Sequence, residues 1–264
     1  MRSLAIIALF LTLGNLVVNA QLRVVAKIDT TAKAIYADNL DYVYLLTNRD
    51  ELLKYDQKGL LQWRYSNNRF GKLHSVDVSD PLRIILFYAD FQQVVVLNNN
   101  LNEIISYSFA KNGSWLVSAV ASANNNSLWI FERSANVLLK LSSSFNEEVR
   151  SANLYQLFDE MIVPEKIAAS DQFVFVHHKT GGVLQFDRFG AFVRELPIDS
   201  LSNFGIAANL ITWTKGNELQ KFNPNTLETS QLQLPVSVTI KQVSLGNKII
   251  AVLSEKAVFL LSDN

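Results

Sequence analysis

Apolar residues in this chain fall in short runs, and one phrase of four or five of them, ending on Asp, Asn or Ser, recurs six times. It reads LLKYD from Leu52 to Asp56, VVVLN from Val94 to Asn98, and VLLKLS from Val137 to Ser142. It returns as VLQFD from Val183 to Asp187, LQKFN from Leu219 to Asn223, and VFLLS from Val258 to Ser262. The closing turn residues lie 42, 44, 45, 36 and 39 positions apart. That spacing is the length of a four-stranded propeller blade.

Each phrase keeps the same neighbours. About ten residues earlier stands a continuous apolar run: Tyr42 to Leu46, Ile84 to Tyr88, Leu128 to Phe131, Phe173 to Val176, Leu210 to Trp213, and Ile249 to Leu253. Runs this short, rich in β-branched and aromatic residues, predict strands covered on both faces. Before each run comes a segment of small residues, such as Ala119 to Ser122 or Ala168 to Ser170, which suits an innermost strand crowded against a central axis. After each phrase follows a more polar, alternating strand, as in Leu61 to Tyr65 and Phe192 to Leu196, expected at the wet outer edge.

The sixth unit lacks that outer strand, because its phrase runs into Ser262, Asp263 and Asn264. Leu22 to Ile28 precedes the first unit and has no other partner, so it is expected to pair beside Val258 to Leu261. The sequence therefore predicts an all-β fold: a six-bladed β-propeller of four-stranded antiparallel blades, the N-terminal strand completing the last blade and leaving no open ring edge. An open β-sandwich or several small β domains are the alternative fold, but neither predicts six similar units or complementary ends.

Composition narrows the setting. Arg2, the apolar stretch Leu4 to Leu13 and the small residues Val18, Asn19 and Ala20 read as a signal peptide over 1–20, with a single propeller domain over 21–264. An uncleaved anchor is the competing reading. No later segment is apolar long enough to span a bilayer, so the mature body is expected to be soluble, without a transmembrane segment. The chain has no Cys, which removes disulfides and thiolate chemistry and points to a bacterial exported protein, periplasmic or extracellular. Lys and Arg total 24, as do Asp and Glu, with no basic run, so nucleic acid is not an expected partner.

Two of the turn segments carry a resemblance. Lys54 to Trp63 (KYDQKGLLQW) resembles the PQQ-like, quinoprotein-type propeller repeat, in which an Asp-x-x-Gly turn leads to a Trp. Gln185 to Val193 (QFDRFGAFV) is similar to the NHL repeat. The other units lack the Gly, and the resemblance extends to the propeller superfamily alone. Such repeats specify turns and packing and imply no quinone cofactor.

No catalytic motif is present: G-x-S-x-G, H-E-x-x-H, the P-loop and the EF-hand are all absent. His177 and His178 are adjacent on a predicted strand and so point to opposite faces; His74 and Asp77 are expected to diverge similarly. Six-bladed lactonases and esterases, which resemble this architecture, hold Ca²⁺ in the central channel through oxygen ligands. Asp38, Asp77, Glu165 and Asn209 are the corresponding channel candidates here, and they are also residues any polar channel would carry. No metal or other cofactor is expected under the leading reading.

Loops between blades and loops from second to third strands share one rim of a propeller. Those loops hold Arg49, Asp50, Arg69, Phe70, Asp90, Phe91, Trp115, Arg133, Tyr155 and Phe158. Aromatic and Arg side chains on one rim suit protein hot spots or sugar stacking; the plainer reading packs Phe70, Trp115 and Phe158 between blades as core. The connection from Asn153 to Pro164 has the spacing of a short amphipathic helix. The expected function is a non-enzymatic, monomeric interaction scaffold for another envelope or extracellular protein. The alternatives are a calcium-dependent hydrolase and a carbohydrate or small-ligand binding module.

Overall fold

The structure, a computed structural model, describes residues 22–113, 115–178, 182–198, 201 and 204–263. The expected signal peptide over 1–20 lies outside the described residues. Six four-stranded antiparallel sheets form the ring. The chain starts with β1 (Arg23–Ile28). Blade one is β2 (Ala34–Ala37), β3 (Val43–Leu46), β4 (Leu52–Tyr55) and β5 (Leu61–Tyr65). Blade two is β6 (Ser75–Asp77), β7 (Ile84–Tyr88), β8 (Gln93–Leu97) and β9 (Glu103–Ser108). Blade three is β10 (Val117–Ser122), β11 (Leu128–Glu132), β12 (Val137–Leu141) and β13 (Glu147–Arg150). A short helix, α1 (Leu154–Phe158), leads to blade four: β14 (Pro164–Ala169), β15 (Phe173–His178), β16 (Val183–Asp187) and β17 (Phe192–Leu196). Blade five is β18 (Gly205–Ala207), β19 (Leu210–Lys215), β20 (Glu218–Asn223) and β21 (Glu228–Gln233). Blade six is β22 (Ile240–Leu245), β23 (Ile250–Ser254) and β24 (Val258–Ser262), completed by β1.

The closing pair forms as expected, with Val24 opposite Leu261 and Lys27 opposite Phe259. A bulge between Val24 and Ala26 bends β1 around the outside of the ring.

Packing explains the continuous apolar runs. Successive side chains of a strand point to opposite faces, and here each face meets a different blade. Tyr44 and Leu46 of β3 pack towards blade two, whereas Val43 and Leu45 pack towards blade six. The second blade repeats the rule: Ile84, Leu86 and Tyr88 face blade one, and Ile85 and Phe87 face blade three. The apolar core is thus six clusters, one in each gap between adjacent blades.

Turn chemistry explains the recurring Asp, Asn or Ser. The side-chain oxygen of Asp56 accepts the backbone N–H groups of Lys58 and Leu60, both at 2.9 Å. Asn98 accepts from Asn100 and Asn102, Ser142 from Ser144 and Asn146, and Asp187 from Phe189 and Ala191. Three residues after each acceptor the backbone turns left-handed, at Gly59, Leu101, Phe145 and Gly190. The repeat's Gly is therefore replaced in two blades by buried apolar residues held in the same conformation. Polar clasps add to the packing between blades: Gln242 receives the Ile35 N–H at 3.0 Å and donates to the Ile35 carbonyl at 2.8 Å.

Candidate functional site

Two regions gather the candidate residues, a sector of the upper face and the central channel. In the upper-face sector, Asn153 caps α1, accepting the Gln156 N–H at 2.9 Å, and donates to the Ala135 carbonyl. Asn136 donates to the Ile162 carbonyl and accepts its N–H. These bonds tie the long connection to blade three at both ends. With Leu154 buried and Phe158 against Phe192 at 5.1 Å, the helix turns Tyr155 and Leu157 outwards.

Nearby loops add exposed apolar groups, so Phe91, Leu116, Tyr155, Leu157, Met161 and Val163 are each about half open to solvent. Asp90, Leu116, Arg133 and Pro164 share the wall of one hollow of about 570 Å³. The candidate aromatics divide here. Phe91 and Tyr155 are exposed, whereas Phe70, Trp115 and Phe158 are half-buried against the core between blades. Arg49 is exposed on the loop after β3, and Asp50 beside it pairs with Lys33. Arg69 is held by both oxygens of Glu103, at 2.9 and 2.7 Å, in a network that also takes hydrogen bonds from Tyr65 and Asn67.

The central channel encloses an inner cavity of about 110 Å³ lined by the innermost strands of all six blades. Tyr36, His74, Asp77, Glu165, Lys166 and Ser244 supply its polar wall. His74 and Glu165 also border the upper hollow, so the two spaces adjoin. Small residues such as Ala119, Ala168 and Gly205 leave this room, as the sequence anticipates for innermost strands.

Of the channel candidates, Asp77 and Glu165 line the cavity, while Asp38 and Asn209 do not. Asp38 sits in the turn between β2 and β3, buried, accepting the Leu40 and Tyr42 N–H groups and the Tyr44 hydroxyl. Burial raises its pKa, against the lowering effect of those hydrogen bonds. Asn209 occupies the exposed turn between β18 and β19 at positive φ.

His74 and Asp77 both border the channel cavity; the His74 ring meets Phe87 edge-on at 5.9 Å, and Asp77 accepts the Ser79 and Ser122 N–H groups. His74 precedes β6, where strand alternation does not govern it. His177 and His178 pair with different partners on β14. His177 stands 3.5 Å from Glu165, and burial lowers its pKa while Glu165 raises it. Tyr36 is pushed well above the ordinary phenol range by burial first and by Asp77 second, so it remains a neutral hydroxyl. Among the described residues, no group of three or more His, Cys, Asp or Glu is arranged to hold a metal ion.

Sequence reasoning missed Lys166 and Tyr36. Both stand within innermost strands whose small neighbours marked them as channel wall, and a long polar side chain there was the available signal.

No protein-family description matches the sequence. No curated protein matches it either. Solved structures do resemble the fold. A streptogramin B lyase superposes with TM-score 0.61 at 11% identity, covering 92% of this chain and 97% of that one. A chain of the mitotic checkpoint complex gives 0.63 at 10% identity, covering 99% and 98%. PorZ, a bacterial surface component of the type-IX secretion system of Porphyromonas gingivalis, gives 0.57 at 13% identity, covering 90% of this chain and 32% of that one. At such identities the likeness concerns the fold alone: this chain is a six-bladed β-propeller.

Proposed function

We propose that this propeller is an exported interaction scaffold that docks another envelope or extracellular protein on the upper face of blades two to four. The observation that carries this reading is the set of exposed apolar side chains on loops of one rim, Phe91, Leu116, Tyr155, Leu157, Met161 and Val163, with Leu116 sharing a hollow with Asp90 and Arg133. Exposed apolar groups gathered on one face beside charged ones are characteristic of protein interfaces. The hydrogen bonds of Asn136 and Asn153 fix α1 before any partner arrives, which reduces the ordering cost of binding. Export rests on the N-terminal segment, and PorZ is an instance of a similar fold at a bacterial surface. The resemblance to NHL and PQQ-like repeats belongs to this reading as well, carried by the Gly59 and Gly190 turns.

The test is tagged purification from the native cell envelope with Phe91→Asp and Met161→Asp variants. Wild type should retain a stoichiometric partner protein, and both variants, with unchanged Tm, should lose it. Capture that survives both substitutions, or a wild type that retains no partner, overturns the reading. It includes no cofactor, so added Ca²⁺ should leave Tm unchanged; a calcium-dependent rise would favour the hydrolase reading, with Asp77 and Glu165 as ligands.

A further inference from the structure

On the channel wall, one ammonium group has donors to spare. Lys166 projects from β14 into the channel, where among the described residues its Nζ makes one hydrogen bond, to the Phe204 carbonyl at 2.5 Å. No carboxylate there approaches it within ion-pair distance. An ammonium has three donors, and Lys166, partly open to the channel, keeps the others within reach of a ligand. The nearby Asp77 is already oriented by backbone: its two oxygens accept the Ser79 and Ser122 N–H groups, both at 2.8 Å. Glu165 lies above, half-exposed where the inner cavity meets the upper hollow, with one oxygen 3.5 Å from His177 Nδ1.

The site therefore has one cation with donors to spare and two carboxylates with lone pairs to spare. A simple anion would satisfy Lys166 but add a third negative charge beside Asp77 and Glu165. A simple cation would leave Lys166 unanswered. We propose that the channel binds a small zwitterion, an α-amino acid, with its carboxylate on Lys166 and the Tyr36 hydroxyl and its ammonium between Asp77 and Glu165. The cavity of about 110 Å³ has room for several waters or one small molecule. Ala119, Val120, Ala168 and Ile206 offer apolar wall for a short side chain. The site shares Glu165 with the hollow at the docking face but needs no docked partner.

Thermal shift and calorimetric titration of the full chain with the proteinogenic amino acids test it, with propionate and ethylamine as half-ligands. A small amino acid should raise Tm by about 4 °C when well above its Kd, and neither half-ligand should do so. Glu165→Gln, at a partly open position, should keep the unliganded Tm and lose about tenfold or more in affinity. Lys166→Met should abolish the shift. If Lys166→Met does not fold, the half-ligands and Glu165→Gln decide the matter. The proposal falls if no amino acid binds, if propionate alone matches the amino acid, or if binding is unchanged in Glu165→Gln.

Discussion

Gly59 shows how a single residue joins local turn chemistry to ring closure. Its φ of +74° is left-handed, and a Cβ there would meet Ala26 Cβ and Ile28 Cγ1 of the closing strand, both at 3.3 Å. Gly59→Ala is therefore expected to cost about 1–2 kcal/mol from backbone conformation alone, read as a lower urea midpoint at unchanged m. Leu101 and Phe145 adopt the same conformation, and burial offsets its cost; Phe145 stacks on Tyr107 with ring centroids 3.8 Å apart. Glu103 gives a pH prediction. Burial pushes its pKa up, but hydrogen bonds from Tyr65, Arg69 and Asn67 outweigh it and leave the carboxyl below its ordinary value. A depressed carboxyl contributes stability that is complete above the unfolded pKa of about 4.3 and is lost as pH falls through the lower folded value. Glu103→Gln should make the acid-side decline in urea midpoint shallower; an unchanged decline would show the network does not govern it.

At the scale of elements, each strand's role follows from what lies on its two faces. Second and third strands are buried on both, while β5, β9, β13 and β21 expose much of their length. The last blade is distinct because its outer strand comes from the other end of the sequence. Removing residues 22–28 would bare the edge of β24 and uncover Ala26 and Ile28's contacts with the blade-one and blade-six cluster. An unpaired edge of this kind promotes association between chains. The truncated chain should lose cooperative thermal unfolding and elute as aggregate; a monomer with wild-type Tm would show that closure is dispensable.

At the scale of the whole molecule, the six equivalent gaps make the ring continuous, so the position of the chain break matters less than the pairing of its ends. Arg23 lies opposite Ser262, so a short linker can join residues 22 and 263. A permutant joined there and opened in the exposed turn at Asn124–Asn126 should unfold in one transition within a few degrees of wild type, as surface turns tolerate new termini. Two separated transitions would mean that the blades do not unfold as one ring.

The six phrases, the small innermost segments and the orphaned Leu22 to Ile28 together contain the architecture, because strand burial and turn chemistry are local and each blade repeats them. The short helix after Asn153 was legible for the same reason, its cap and apolar spacing being written in consecutive residues. Which candidates meet was decided only by the ring. Asp38 stands just past the end of β2 and Asp77 at the end of β6, yet the first is buried in its turn and the second borders the channel. Lys166, Tyr36 and Asp77 come from three different blades, and charges so distant in sequence acquire a common cavity only when the sixth sheet closes.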